Sequence, residues 1–322
     1  MRSEIGQDIL KSVEILNHGG LVAMPTETVY GLAANGLDPS AVAKIFEAKN
    51  RPFFDPLILH IANVDTLNQI VSNVPQKAKI LMDYFWPGPL TFVLPKSNLV
   101  PDLVTSGHAT VAVRMPKHPM AIELLSKLSF PLAAPSANPF GYVSPTTAQH
   151  VQDQLGNKID YILDGGNCTV GIESTIISFE YEPSILRLGG VTQQQIESII
   201  GPVTLSVNEH SNPKAPGQLD QHYSPYCKLK QLKFNELNHS SIILFYSPET
   251  EKKFWETNGF INCNALYLTM HHQSIEAAAN LFSVLREFDK KGLTEVFIEF
   301  AENEGLGMAI NDRLKRAMAK RD

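Results

Sequence analysis

Apolar and polar positions follow two rhythms along this chain. Short apolar runs stop abruptly at proline, glycine or a charge, and read as buried strands. They cover 21–24, 55–61, 90–94, 110–116, 131–134, 161–163, 171–178 and 185–190. Apolar residues at three-and-four spacing predict helices between them. Ile5, Ile9, Val13 and Leu16 share one side of a predicted helix over 4–18, which Gly19-Gly20 ends. Val42, Ile45 and Phe46 do the same over 41–49, where Pro52 stops the run. Further helices are predicted over 78–86, after 144–147 and over 193–200.

From about Val203 to Cys227 the periodicity is lost, and Asn208-Glu209-His210-Ser211-Asn212-Pro213 is polar and rich in breakers. Beyond it, strands at 241–246, 265–269 and 295–300 alternate with helices at 248–258, 274–288 and 307–320. Ala278, Leu281, Phe282, Leu285 and Phe288 line one helical face. Such alternation predicts a small parallel, Rossmann-like α/β sheet. No glycine-rich nucleotide fingerprint follows its first strand. The organisation is therefore a first domain over 1–202, a linker over 203–227 and a second domain over 228–322; the linker is expected to act as a mobile lid, with Tyr223 either covering a site or only packing against the second domain.

Length and composition agree with two packed domains: 322 residues, of which 43% are hydrophobic. The charge balance is 27 basic against 33 acidic residues, a net of −6, which argues against a surface devoted to nucleic-acid phosphates. Cys168, Cys227 and Cys263 are far apart and fit neither a disulfide framework nor a zinc site. A reduced, cytoplasmic setting is expected. The N-terminus carries acids and no long apolar core, so no signal peptide is expected. No run approaches a membrane span.

The densest chemistry lies between Met24 and Arg51. Thr26, Glu27 and Thr28 follow a strand end, and Gly31 permits a backbone geometry that other residues resist. Lys49 and Arg51 sit at a helix end. Two residues apart, they reach one site only if the helix has already unwound there. Two cations there either complement the helix dipole or form a phosphate clamp. His60 and Arg114 each end an apolar run. A strand-end arginine ordinarily meets a surface acid, and a histidine there is ordinarily a satisfied rim residue. Ser144 is a candidate helix N-cap. His271-His272 reads as loop polarity.

Three motifs together resemble the YrdC-like family, in its two-domain threonylcarbamoyl-AMP synthase form. They are Pro25-Thr26-Glu27-Thr28-Val29-Tyr30-Gly31, Lys49-Asn50-Arg51-Pro52 and Ser136-Ala137-Asn138, in the family's order. The resemblance implies a twisted, open, mixed sheet with helices, followed by the smaller α/β domain. It implies an enzyme, a nucleotidyltransferase, that joins L-threonine, bicarbonate or CO2 and ATP. The products would be threonylcarbamoyl-AMP and pyrophosphate, the former used by a downstream transferase that modifies tRNA beside the anticodon. Lys49 and Arg51 would be catalytic. Thr28, His60, Arg114, Ala134 and Ser174 would bind threonine. Lys49, Arg51, Asp55, Thr110, Ser136, Asn138, Ser144, Arg187 and Tyr223 would bind ATP. Mg²⁺ would be held mainly by phosphates, with no dedicated protein metal site. Neither a membrane nor stable nucleic-acid binding is expected.

Two departures stand out. Leu188 replaces a proline after Arg187. In Ala215-Pro216-Gly217-Gln218-Leu219-Asp220-Gln221-His222-Tyr223-Ser224-Pro225, which resembles the family's linker, Gln218, Leu219 and Asp220 depart from the pattern and its usual basic residue is missing. Two rival readings are a double-stranded RNA-binding module and a carbamoyl-adenylate enzyme of the hydrogenase-maturation type. The acidic balance weighs against the first. Too few cysteines and too short a chain weigh against the second.

Overall fold

The computed structural model describes residues 2–207, 213, 215–217 and 222–319. Gln218, Leu219 and Asp220, and the last residue of the helix predicted over 307–320, lie outside the described residues. The chain divides into two compact units: Met1–Phe140 with Ser144–Thr169 and Glu173–Asp220, and Gly141–Val143 with Val170–Ile172 and Gln221–Asp322.

The first unit runs β1 (Glu4–Gly6), α1 (Ile9–Asn17), β2 (Val22–Met24), β3 (Gly31–Asn35), α2 (Pro39–Lys49), β4 (Ile58–His60), α3 (Val64–Ile70), α4 (Gln76–Phe85) and β5 (Leu90–Pro95). It continues with α5 (Asp102–Thr105), β6 (Thr110–Arg114), α6 (Pro119–Ser126), β7 (Leu132–Ala133), α7 (Ala148–Leu155), β8 (Tyr161–Leu163), β9 (Thr175–Ser178), β10 (Ser184–Arg187), α8 (Gln193–Ile200) and β11 (Thr204–Leu205). All its strands join one mixed sheet in the order β1-β8-β2-β3-β7-β4-β6-β5-β9-β10-β11. Its central strands β2, β4, β6, β8 and β9 are buried on both faces, as the unbroken runs require, while β1 and the edge strand β11 are largely exposed. One cluster packs Leu16, Val22, Met24, Leu124, Leu132 and Tyr161 together. Another packs Ile58, Val93, Ala112, Ile176, Leu186 and Ala215.

Some expectations need correcting. The helix predicted from residue 4 starts only at Ile9, after an N-cap by Asp8. Its first residues instead form β1, which pairs parallel with β8, and Ile5 is 36% exposed. Apolar spacing alone could not distinguish the two, because β1 is too short to show a period. Ser144 is not a cap. Thr147 caps α7 by accepting from His150 N, and the Ser144 hydroxyl donates to Glu173 Oε1 at 2.7 Å. Gly31 is needed for close approach rather than for positive φ. A Cβ there would lie 3.1 Å from Ala134 Cβ, at a bridge between Gly31 and Ser136.

The second unit contains β12 (Lys228–Gln231), a short 3-10 turn, β13 (Ile242–Phe245), α9 (Pro248–Asn258), β14 (Asn264–Tyr267), α10 (Ser274–Lys290), β15 (Glu295–Ile298) and α11 (Gly305–Met318). Its sheet is wholly parallel, ordered β12-β15-β13-β14. This is the Rossmann-like alternation expected. Ala278, Leu281, Phe282, Leu285 and Phe288 are buried along α10, as their spacing predicts. His272 accepts or donates at Ser247 (2.8 Å) and His271 at Glu276 (3.2 Å).

Candidate active site

Strand register assembles the site. His60 on β4 stands opposite Arg114 on β6. On the other side of β6, Phe92 of β5 pairs with Val113, which puts Thr91 one step on, at the level of Arg114. Thr91 pairs with Ile176 on β9, and Ile176 with Arg187 on β10. Five neighbouring strands thus carry His60, Arg114, Thr91 and Arg187 at one level. A register irregularity between Ile185 and Arg187 re-aims the end of β10. Gly189 lets that strand end lie against the next, since a Cβ there would be 2.3 Å from Glu173 O.

The Thr26-Glu27-Thr28 turn holds one half. The Thr26 hydroxyl accepts from Thr28 N at 3.1 Å and Val29 N at 3.2 Å, an ST-type turn that fixes the loop. Tyr30 N donates to Pro145 O, Leu32 N to Pro135 O, and Ala137 N to Tyr30 O, all within 2.9 Å. These bonds hold the first motif against the Ser136 segment. Arg114 Nη1 donates to Thr28 Oγ1 at 2.8 Å and Nε to Gly88 O at 3.1 Å. Arg114 Nη2 lies 2.7 Å from Glu27 Oε1 in a buried ion pair. His60 is 4% exposed, and its Nδ1 has no hydrogen-bond partner among the described residues. Burial first, and the Arg114 charge second, push its pKa down to about 3. His60 is therefore a neutral polar group at neutral pH.

The other half is cationic. Helix α2 ends at Lys49, and Asn50 turns left-handed at φ 51°. The helix has thus unwound before Arg51, the condition for both cations to serve one site. Lys49 Nζ donates to the carbonyls of Ser136 and Asn138. Burial, then the nearby Arg51 charge, lower its pKa well below the ordinary lysine value. Arg51 pairs with Asp55 Oδ2 at 2.9 Å and donates to Pro56 O at 2.8 Å. Asp55 is fully buried. Burial raises its pKa, opposed by Arg51, Lys49 and Arg187 in that order. Arg187 donates to Ser174 O and Ser174 Oγ, while Thr91 Oγ1 lies 2.7 Å from Ser174 Oγ. Arg187 Nη1 also donates to Pro216 O at 3.1 Å.

The structure thus groups Thr28, His60 and Arg114, groups Lys49, Ser136 and Asn138, and joins Arg51 to Asp55 and Arg187 to Ser174. Ala134 N donates to Ile58 O, beside β4. Thr110 opens β6, at the opposite end of the strand from Arg114. Ser144 is tied to Glu173 instead of a helix end. Tyr223 belongs to the second unit, 1% exposed, with its ring stacked 5.3 Å from Phe282 and the Arg313 guanidinium 5.4 Å away. Glu27, Thr91 and Glu173 take part without having been selected as site residues. Glu27 stood inside the first motif. Thr91 could have been found only from register, which the sequence does not print, and Glu173 only from its bond with Ser144 across 29 residues.

Comparison with known proteins follows this geometry. A family model described as Telomere recombination, Sua5/YciO/YrdC, matches residues 14–189. A second, described as Threonylcarbamoyl-AMP synthase, C-terminal domain, matches residues 191–319. The threonylcarbamoyl-AMP synthase of Pyrococcus abyssi is 40% identical over 320 residues, covering 95% of this chain and 92% of its own length. That of Bacillus subtilis is 38% identical over 327 residues, covering 97% and 93%. The crystal structure of P. abyssi Sua5 complexed with L-threonine matches with a TM-score of 0.84 at 38% identity, over 98% of this chain and 97% of that one.

Proposed function

The chain belongs to the Sua5/YciO/YrdC family, among its two-domain threonylcarbamoyl-AMP synthases, and from that premise we propose how its own residues divide the work. L-threonine, bicarbonate or CO2 and ATP give threonylcarbamoyl-AMP and pyrophosphate. The threonine amine adds to CO2, forming a C–N bond and releasing a proton. A carbamate oxygen then attacks the α-phosphorus, and the bond to pyrophosphate breaks. This makes the enzyme a nucleotidyltransferase. It needs positioning and charge neutralisation rather than a covalent nucleophile.

The observation that carries this reading is the row of His60, Arg114, Thr91 and Arg187 across one sheet, with Lys49 and Arg51 at the adjoining helix end. Arg114 takes the threonine carboxylate as a fork, as guanidinium geometry favours. Neutral His60, Thr28, Ala134 and Ser174 orient the rest of the amino acid. Lys49, Arg51 and Arg187 hold the triphosphate, and Asp55, Thr110, Ser136, Asn138 and Ser144 surround the nucleotide. The P. abyssi relative solved with L-threonine supports the amino-acid half.

Mg²⁺ would enter on ATP and neutralise phosphate charge. The donor set fits that mode, since the buried Asp55 carboxylate already faces Arg51, Lys49 and Arg187, while those cations suit the phosphates. Among the described residues no group of three or more His, Cys, Asp or Glu is placed to hold a metal. No described helix is long and apolar enough to cross a membrane. The proposed setting is the cytoplasm, which supplies ATP and a transferase acting on tRNA. All three cysteines are free thiols, in keeping with it.

The test is pyrophosphate release with each substrate omitted in turn. Release should require threonine, bicarbonate and ATP together. Lys49→Ala and Arg51→Ala should each abolish it with the fold intact, since a charge-assisted phosphate contact is worth ~1.5–3 kcal/mol. Release that ignores threonine, or persists in both variants, removes the assignment. Salt-sensitive binding of double-stranded RNA without ATP would favour the RNA-binding alternative.

A further inference from the structure

We propose that Glu27 is a positioning residue that sets the plane of the Arg114 guanidinium, and so governs affinity for the amino-acid carboxylate. This rests on the reading of Arg114 as the threonine fork. Glu27 is 7% exposed, an unusual place for a carboxylate unless paired. Its two oxygens do different jobs. Oε2 accepts from Lys117 N at 3.0 Å, which ties the side chain to the loop after β6. Oε1 lies 2.7 Å from Arg114 Nη2. The same loop of three residues supplies Thr28 Oγ1 to Arg114 Nη1, and Gly88 O accepts from Nε.

Two guanidinium nitrogens, Nε and Nη1, thus donate to fixed acceptors, and the third, Nη2, is ion-paired with Glu27 without hydrogen-bond alignment. Two of these partners, Glu27 and Thr28, are themselves held by the Thr26 turn and by Lys117 N. A guanidinium has five N–H donors, so these partners leave at least two for a second carboxylate. A fork recognises a carboxylate only if its plane is set in advance, which is the part Glu27 plays. Glu27 also balances the buried Arg114 charge before substrate arrives.

The kinetic consequence is specific. Glu27→Gln keeps the shape and the acceptor for Lys117 N but removes the charge. It should raise the threonine KM about tenfold, with kcat and the ATP KM within about twofold of wild type. Glu27→Ala should raise the threonine KM further. In an Arg114→Lys background, which has no fork to orient, Glu27→Gln should add no more than twofold. A threonine KM that stays put in Glu27→Gln overturns the proposal, as does an equal loss in both backgrounds or a loss confined to kcat. If Glu27→Ala fails to fold, the Glu27→Gln comparison still decides. Wild-type protein that releases pyrophosphate without threonine would instead remove the underlying reading, so the two failures are distinct.

Discussion

At the scale of single residues, burial sets charge. His60 shows the sign clearly. Its folded pKa is about 3 against an ordinary value of 6.5, mainly because burial disfavours the imidazolium. As pH falls below 6.5 the unfolded chain takes up a proton that the folded chain refuses. Stability is intact above pH 6.5 and falls progressively toward pH 3, by at most about 5 kcal/mol from this group. Denaturant titrations across that range should show a shallower fall in His60→Asn than in wild type. Parallel curves would mean that His60 is not the group responsible. Lys49 gives a second expectation. Burial and Arg51 lower its pKa well below the ordinary value, and a triphosphate beside it would raise it again. As pH rises into the range where free Lys49 titrates, ATP binding should therefore become coupled to proton uptake. Calorimetric titrations in two buffers of different ionisation enthalpy should give different heats, and identical heats would refute the link. The residue types of both halves were legible in sequence, but neither their burial nor the partners of Arg114 and Arg187 were. Partnership at this distance depends on which strands become neighbours.

At the scale of elements, caps and registers decide what the sequence shows. The end of α2 was legible because Pro52 forbids helix before it. Its use depends on one backbone conformation. Asn50 at φ 51° separates Lys49 on the helix from Arg51 off it. Asparagine tolerates that region and β-branched residues do not. Asn50→Gly should leave stability and pyrophosphate release near wild type. Asn50→Val should cost about 1–2 kcal/mol and lower ATP use, because it redirects Arg51 relative to Lys49. A Val variant with unchanged ATP KM would show that the bend does not position the clamp. Long, strongly periodic elements such as α9 and α10 were read almost to the residue, whereas β1 and β3 were not. Residues 31–35 carry small side chains in an antiparallel pair with β2, a pattern with neither period. Pro131 and Pro135 flank the two-residue β7, and so short a strand hid how it joins β3 to β4.

At the scale of the whole molecule, the stretch between the domains carries the remaining chemistry. Carbamates and mixed anhydrides are labile in water, so the site must close during turnover. An aromatic lid at Tyr223 was one expectation and simple packing the other. Tyr223 packs on Phe282 in the second unit. A closer candidate is the earlier part of the same stretch. Ala215 is fully buried against Ile58, Val93 and Leu186 of the first unit's core, and Pro216 O accepts from Arg187. The two neighbours differ in consequence: Ala215 anchors the segment, while Pro216 occupies a donor that the triphosphate needs. ATP would compete with a carbonyl for Arg187 and release or reset the segment above it. Ala215→Asp should loosen that anchor without touching a phosphate ligand. Its expected signature is ATP binding within about threefold of wild type but less threonylcarbamoyl-AMP per ATP consumed, as intermediates escape to water. In wild-type protein, cleavage within 205–225 should slow when threonine and ATP are added together, and Ala215→Asp should lose that protection. Equal yield per ATP and equal protection in the two proteins would mean that the segment is a tether, and that closure lies elsewhere.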